Sequence, residues 1–211
     1  MMNSPSSNPC IDDLSPEPVK TTRSAWLAVS SIAVGTFAMV STEFMPIGLL
    51  TDIARGLNVS DGTAGLMITM PGVLAALAGP GLIVASGRLD RRTVLIALTT
   101  LLIASNLLAA FAPNFATMLV ARLMLGLCVG GFWTFAPAAA TQLVPQASKA
   151  RAMSLVLAGV SAATVLGVPA GSLLGTLFGW RASFAVTGAL AAVVLLVQLW
   201  LLPAIPPVRA I

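Results

Sequence analysis

The chain has 211 residues, of which 57% are hydrophobic and 9% are charged. Soluble globular domains carry about 25% charged residues, so this composition excludes that class and indicates an all-α membrane protein surrounded by lipid bilayer. The formal charge of +4 therefore reports membrane topology rather than a nucleic-acid partner. Because the chain has no histidine and only seven acidic residues, we predict neither a metal site nor a cofactor.

Apolar runs divide the chain into six predicted membrane helices between two tails. Residues 1–24, rich in Ser, Pro and Asn, are predicted to form a disordered cytoplasmic tail, and residues 204–211 form a second tail. The bundle is expected over 25–203, with spans at about 26–50, 63–86, 93–111, 115–144, 152–178 and 182–202. The first loop is expected at 51–62, where Ser60 or Asp61 can cap the next helix.

Basic residues are distributed unevenly between the two predicted membrane faces. One face has only Arg55 and Arg181. The face that carries both termini has eight: Lys20, Arg23, Arg88, Arg91, Arg92, Lys149, Arg151 and Arg209. Since an excess of Lys and Arg marks the cytoplasmic side, both termini are predicted to be cytoplasmic and the chain to lie in the cell (inner) membrane.

Glu43 is the only acidic residue inside a predicted span. A charged carboxylate there costs at least ~2.5–3.5 kcal/mol on insertion scales, so it needs a partner, a proton or a wet cavity. Three residues later, Pro46 cannot donate a hydrogen bond to the carbonyl of Thr42, which favours a kink beside the acid. We therefore predict that Glu43 carries a proton or meets a substrate.

Arg122 is the only basic residue inside a span and is the predicted partner of Glu43. Glu43 lies seven residues before Leu50 and Arg122 lies seven residues after Phe115, so both lie about 10 Å below the same membrane face. The alternatives are a purely structural ion pair, or an arginine whose side chain extends to the membrane interface.

Helical periodicity places Arg122, Gly126, Val129 and Trp133 on one face of the fourth span. If that face lines a cavity, Trp133 offers a stacking surface for an aromatic or sugar-like ligand. The alternative is that Trp133 and its neighbour Phe132 face lipid or fill helix packing. The amides Asn106, Gln142 and Gln198 are expected to form interhelical or interfacial hydrogen bonds.

The second and fifth spans contain similar Gly/Pro stretches, Gly79-Pro80-Gly81 and Gly167-Val168-Pro169-Ala170-Gly171. These stretches leave their spans toward opposite faces, as a three-plus-three inverted repeat requires.

Several of these stretches together resemble a known family. The chain resembles the N-terminal six-helix half of a major facilitator superfamily transporter, in the proton-coupled efflux branch. Four stretches carry the resemblance: Thr42 to Gly48, the turn Gly87 to Arg92, Arg122-x-x-x-Gly126, and Gly167 to Gly171. Purine ribonucleoside and sugar efflux pumps are the most similar, on Arg122 to Val144 and Gly179-Trp180-Arg181. The turn departs from the family pattern, because Gly87 occupies its Asp position and Asp90 is displaced by three residues.

The resemblance implies a role for each residue set. Glu43 would titrate a proton or face the substrate, with Arg122 as its electrostatic partner and Phe132 and Trp133 as stacking residues. The predicted inner gate is Arg88, Asp90, Arg91 and Arg92. The predicted helix-packing motif is Gly126, Gly167, Pro169 and Gly171.

The implied function is export of a small solute, such as a purine nucleoside, sugar or drug, by proton antiport. Such transporters resemble two six-helix bundles, so a second half or a homodimer is expected to complete the site. The alternative is a non-transporting half or an assembly subunit that needs a partner bundle. An enzyme is not expected, because the chain has neither a histidine base nor a second embedded acid.

Overall fold

The computed structural model describes residues 23–85 and 89–205. Within this part, six helices are long and apolar enough to cross a membrane, and we number them span 1 to span 6: Arg23–Gly56, Asp61–Leu82, Arg91–Ala110, Phe115–Gln142, Gln146–Phe178 and Trp180–Leu201. The described residues contain no strand. The prediction of an all-α protein with six membrane helices is confirmed. Most of both predicted tails, and Arg88 of the predicted gate, lie outside the described residues.

Two spans change helix type beside a proline. Span 1 consists of an α-helix over Arg23–Phe44, a 3-10 segment over Met45–Leu49 that contains Pro46, and an α-helix over Leu50–Gly56. Span 5 begins with a 3-10 turn over Gln146–Ser148 and continues through Lys149–Ala162, a π segment over Ala163–Gly167 and Val168–Phe178. Proline removes a backbone donor, so the helix changes pitch there. The irregularity predicted beside Pro46 is therefore present.

Span 1 continues past its predicted end at Leu50. Ile53 and Ala54 are buried, so packing extends the helix through a segment whose polar residues suggested a loop. The loop that follows ends at Ser60, whose Oγ accepts a hydrogen bond from the backbone N–H of Thr63 at 3.1 Å. This is the cap predicted for span 2, which comprises one turn over Asp61–Ala64 and a helix over Leu66–Ala85.

The spans pack in pairs that respect an internal symmetry. Span 1 packs on span 5, span 4 on span 2, and span 3 on span 6. Span 3 also contacts span 4, and span 6 contacts span 1. Exchanging the first three spans with the last three maps this pattern onto itself, as a three-plus-three inverted repeat requires.

The core is densest around the first and fourth spans, which are the most buried of the six. We call the end of the bundle where span 1 begins the proximal end, and the end where it finishes the distal end. A large apolar cluster fills the centre and proximal half, and a smaller one that includes Met45, Ile53 and Trp180 fills the distal half. The break in span 1 lies where the distal cluster begins.

Candidate functional site

The break in span 1 creates the site by leaving one carbonyl without its helical donor. Pro46 has no N–H, so the carbonyl of Thr42, four residues earlier, lacks the donor that a regular α-helix would supply. Arg122 Nη1 of span 4 donates a hydrogen bond to this oxygen at 2.9 Å. The sequence points separately to the free carbonyl and to the buried arginine, but it does not predict that the two meet.

Arg122 is held in an almost closed environment. Its side chain is 1% exposed, and its Cζ lies 4.7 Å from the ring centroid of Phe184 in span 6, in a cation–π contact. Its Nε and Nη2 have no hydrogen-bond partner among the described residues. Buried polar groups are nearly always paired, so two free donors on one buried guanidinium indicate a site able to accept another hydrogen-bonding group.

Glu43 lies beside this arginine without binding it directly. Its side chain is half-buried, and the two charges interact electrostatically. Within the described part of the chain, however, the guanidinium's only hydrogen bond goes to the Thr42 carbonyl. The predicted pairing is therefore a through-space interaction, which leaves the carboxylate of Glu43 free for other partners.

Asn106 of span 3 fixes the same turn of span 1 from another side. Its Nδ2 donates to Thr42 Oγ1 at 3.2 Å and to the carbonyl of Leu102 at 2.9 Å. Its Oδ1 accepts from Thr187 Oγ1 of span 6 at 2.8 Å. The interhelical hydrogen bonds predicted for Asn106 are confirmed, and they join spans 1, 3 and 6 at the break.

The face of span 4 that is predicted either to line a cavity or to fill helix packing is mostly buried. Arg122, Gly126 and Val129 are buried inside the bundle, and only Trp133 is substantially open, at 47% exposure. The reason is packing, because Arg122 contacts spans 1 and 6, while a Cβ on Gly126 would lie 2.7 Å from the carbonyl oxygen of Pro71 in span 2. Phe132 is 1% exposed and packs in the core, so it offers no stacking surface in this conformation.

Trp133 instead lies at a small recess between spans 1, 4 and 5. The recess is lined by Thr36, Met39, Phe132, Trp133, Ala136, Pro137, Val156 and Leu157. Periodicity places Trp133 on span 4 below Arg122, and the fold shows that its indole is half exposed while the guanidinium of Arg122 is buried.

The glycines of the predicted packing motif lie at close helix contacts. A side chain at Gly167 would meet Ser41, and one at Gly171 would meet Met45, so span 5 fits tightly against the break in span 1. Pro169 is the second residue after the π segment. Span 5 therefore follows the bent part of span 1 closely.

The described residues of the predicted gate contact the end of span 6. Asp90 caps span 3 by accepting from the Arg92 backbone N–H at 2.9 Å, and the same carboxylate oxygen accepts from the N–H of Ile205 at 2.8 Å. The N–H of Arg91 donates to the Ile205 carbonyl at 3.0 Å, and Arg92 Nη2 donates to the Leu199 carbonyl at 2.9 Å. These contacts hold the chain where it leaves the bundle.

Comparisons with known proteins agree on the class of fold. Residues 32–210 match the sequence model of the Major Facilitator Superfamily. The chain is 39% identical over 186 residues to the "Transcription regulatory protein OpdE" of Pseudomonas aeruginosa (strain PAO1), a match that covers 88% of this chain and 46% of that protein. The chain thus spans about half the length of this curated relative.

Two solved structures illustrate the likeness in three dimensions. The proton:xylose symporter XylE, bound to 6-bromo-6-deoxy-D-glucose, superposes with a TM-score of 0.75 at 14% identity, covering 87% of this chain and 46% of that one. A bacterial homologue of the human lysosomal transporter Spinster, inward-facing and unoccupied, gives 0.70 at 17% identity, covering 88% and 44%. Identities this low establish the fold alone. They confirm the predicted fold class, one half of such a transporter.

Proposed function

This chain belongs to the Major Facilitator Superfamily, and we propose that it forms one six-helix half of a secondary transporter that exports a small solute in exchange for protons. Membrane transport follows from the family, and its relatives of known structure are transporters rather than enzymes. The observation that carries the finer proposal is the buried Arg122, held by the carbonyl at the break while Glu43 stays free beside it.

In the proposed mechanism, Glu43 is the proton-binding group. When its carboxylate is charged, it offsets the field of Arg122 across the break. The charged carboxylate can also accept hydrogen bonds from hydroxyl or amino groups of a solute, and a proton on Glu43 removes the charge that strengthens these bonds. Proton and solute therefore compete for the carboxylate of Glu43, which is the coupling an antiporter needs.

The proposed solute carries hydrogen-bond acceptors and a flat or ring-shaped body. The Nε and Nη2 groups of Arg122 supply donors, and the exposed indole of Trp133 supplies a stacking surface. A purine nucleoside or a sugar fits both requirements. Phe132 supports Trp133 from the core rather than touching the solute.

A second six-helix bundle is proposed to complete the site, either as another half or as a second copy of this chain. The chain covers about half the length of its relatives, and Glu43 and Trp133 lie on surfaces that this bundle leaves open. The basic residues on the side of the termini support an inner-membrane location with both termini cytoplasmic.

Transport assays in proteoliposomes test the proposal. With inosine and arabinose as probes, we expect accumulation driven by an imposed pH gradient. Glu43→Gln removes the response to the gradient while solute exchange without a gradient persists. Asp52→Asn is the matched control, since this acid lies on the same span beyond the break, and it is expected to behave as wild type. A gradient response that survives Glu43→Gln would exclude Glu43 from coupling.

The second candidate is a non-transporting subunit that acts through a partner bundle. It is favoured by the name of the curated relative, a transcription regulatory protein, and by the half-length match. Native mass spectrometry of the protein extracted from its own membrane distinguishes the candidates. A complex with an unrelated membrane protein, together with no flux of any probe, would support this reading over transport.

A further inference from the structure

Spans 3 and 6, which run antiparallel, are joined by an arginine at each end. At the distal end, Arg181, the second residue of span 6, donates from Nη2 to the carbonyl of Ala112, just beyond span 3, at 3.0 Å. At the proximal end, Arg92, the second residue of span 3, donates from Nη2 to the carbonyl of Leu199, near the end of span 6, at 2.9 Å. Each helix therefore begins with an arginine that binds a carbonyl at the end of the other.

Between the two arginines, each of these two helices also donates one hydrogen bond from a threonine in its first half to an amide in the second half of the other helix. Thr187, in the first half of span 6, donates to Asn106 Oδ1 in the second half of span 3, at 2.8 Å. Thr99, in the first half of span 3, donates to Gln198 Oε1 in the second half of span 6, also at 2.8 Å. All four side chains are buried.

We propose that these six side chains form a reciprocal polar seam, the 3–6 seam, which positions span 1 and its break. Its members are Arg92, Thr99, Asn106, Arg181, Thr187 and Gln198. They act as positioning residues. The seam does not depend on what Glu43 binds or on which solute the protein carries.

Both amides of the seam turn their NH2 groups toward span 1. Asn106 Nδ2 donates to Thr42 Oγ1 at 3.2 Å. Gln198 Nε2 lies 3.0 Å from the position that a Cβ on Gly35 would occupy, and it has no hydrogen-bond partner among the described residues. Positions 35 and 42 are seven residues, about two helical turns, apart. Span 1 therefore rests on the seam at two heights.

The physical reason for such a seam lies in the membrane. Helices in lipid gain little from apolar burial against each other, so polar contacts and close packing decide how they align. The carbonyls at the end of a helix carry partial negative charge and lack helical donors, which makes them good acceptors for a guanidinium. A slip of span 3 against span 6 by one turn would break the four linkages together. The register of the pair, and with it the height of Thr42, is thus fixed cooperatively.

Labelling of Glu43 by a water-soluble carbodiimide, resolved by peptide mass spectrometry, tests the proposal on the full chain in nanodiscs. At the distal end, we expect Glu43 to be labelled about fivefold faster in Arg181→Gln and in Thr187→Val than in wild type. This factor is the change in the local opening equilibrium expected from the loss of one ordinary hydrogen bond. Arg55→Gln is the matched control, because Arg55 is an exposed arginine at the same end. Arg181→Lys, which keeps a donor, is expected to restore part of the wild-type rate.

The proximal variants distinguish a cooperative seam from local contacts. Arg92→Gln and Thr99→Val lie far along the helices from Glu43, so a purely local role would leave the labelling unchanged. The cooperative seam predicts faster labelling in both. Arg91→Gln is the control, since the buried Nη1 of this neighbouring side chain has no hydrogen-bond partner among the described residues. Labelling of Arg92→Gln and Thr99→Val at the Arg91→Gln rate, with circular dichroism unchanged, would overturn the proposal.

Discussion

The contact between Arg122 and the Thr42 carbonyl exists because Pro46 has no N–H, and this origin can be tested with a double-mutant cycle. Arg122→Met removes the guanidinium, and Pro46→Ala supplies a backbone N–H that can bind the Thr42 carbonyl in its place. If the proline creates the arginine's acceptor, the two substitutions cannot act independently. We expect Arg122→Met to destabilise the bundle less when Pro46 is also replaced.

The size of the coupling follows from the buried contact. A hydrogen bond to a charged group contributes about 1.5–3 kcal/mol, and Arg122 is 1% exposed, so solvent hardly weakens it. In the wild-type background, Arg122→Met also leaves a buried carbonyl without a donor. With Pro46→Ala that carbonyl is satisfied within the helix, so the cost of losing the arginine should fall by about 1.5–3 kcal/mol. The part of the cost of Arg122→Met that arises from losing the interaction with Glu43 is the same in both backgrounds.

Unfolding by SDS titration in mixed micelles, followed by tryptophan fluorescence, measures these free energies. Pro80→Ala provides the control background, since Pro80 lies within span 2 and is exposed. The cost of Arg122→Met should be unchanged there. Equal costs of Arg122→Met in the wild-type and Pro46→Ala backgrounds, within ~0.5 kcal/mol, would refute the origin proposed for the contact.

Three further predictions address the surroundings of the break. Gly171→Val should destabilise the bundle by about 1–3 kcal/mol through overlap with Met45, while Gly72→Val, with no neighbouring atom within 4 Å, should be nearly neutral in the same titration. Asp90→Ala removes a helix cap and the acceptor of the Ile205 N–H, so hydrogen exchange at that amide should accelerate about fivefold, and unchanged exchange would argue against the contact. Thr42→Val deletes the hydroxyl but keeps the carbonyl, so it should speed carbodiimide labelling of Glu43 while leaving the Pro46–Arg122 coupling intact.

Much of the fold could be predicted because membrane helices leave strong signals in sequence. Apolar runs locate six spans, and proline marks the bend in span 1. Counting residues from the helix ends places Glu43 and Arg122 at the same depth, and the hydrogen bond from Arg122 to the carbonyl of Thr42, next to Glu43, agrees with that depth. These predictions succeed because each depends only on composition or on the fixed rise of a helix.

The contacts of the site could not be predicted in the same way. A sequence identifies a carboxylate by its residue type, but every residue has a backbone carbonyl, and the sequence does not show which carbonyl meets the arginine. The sequence therefore pairs Arg122 with Glu43 rather than with Thr42. Periodicity assigns Phe132 and Trp133 to helix faces, but lipid and protein core are equally apolar, so hydropathy does not show which face is buried. Hydroxyls and amides occur in several spans, and only the packed register selects Asn106 for Thr42.

Thr42 connects the two polar systems of the bundle. Its carbonyl holds the arginine of span 4, and its hydroxyl meets the amide of Asn106, the member of the 3–6 seam nearest the break. A rigid seam therefore limits how far the carbonyl can move when the charge on the neighbouring Glu43 changes. If span 1 could move freely, a small shift of the helix would compensate for the proton taken up by Glu43. Because Thr42 is held in place, the change in charge acts instead on Arg122 and on any group that its free donors bind. The 3–6 seam and the break therefore act together: spans 3 and 6 fix the position of Thr42, and this fixed position makes coupling between Glu43 of span 1 and Arg122 of span 4 possible.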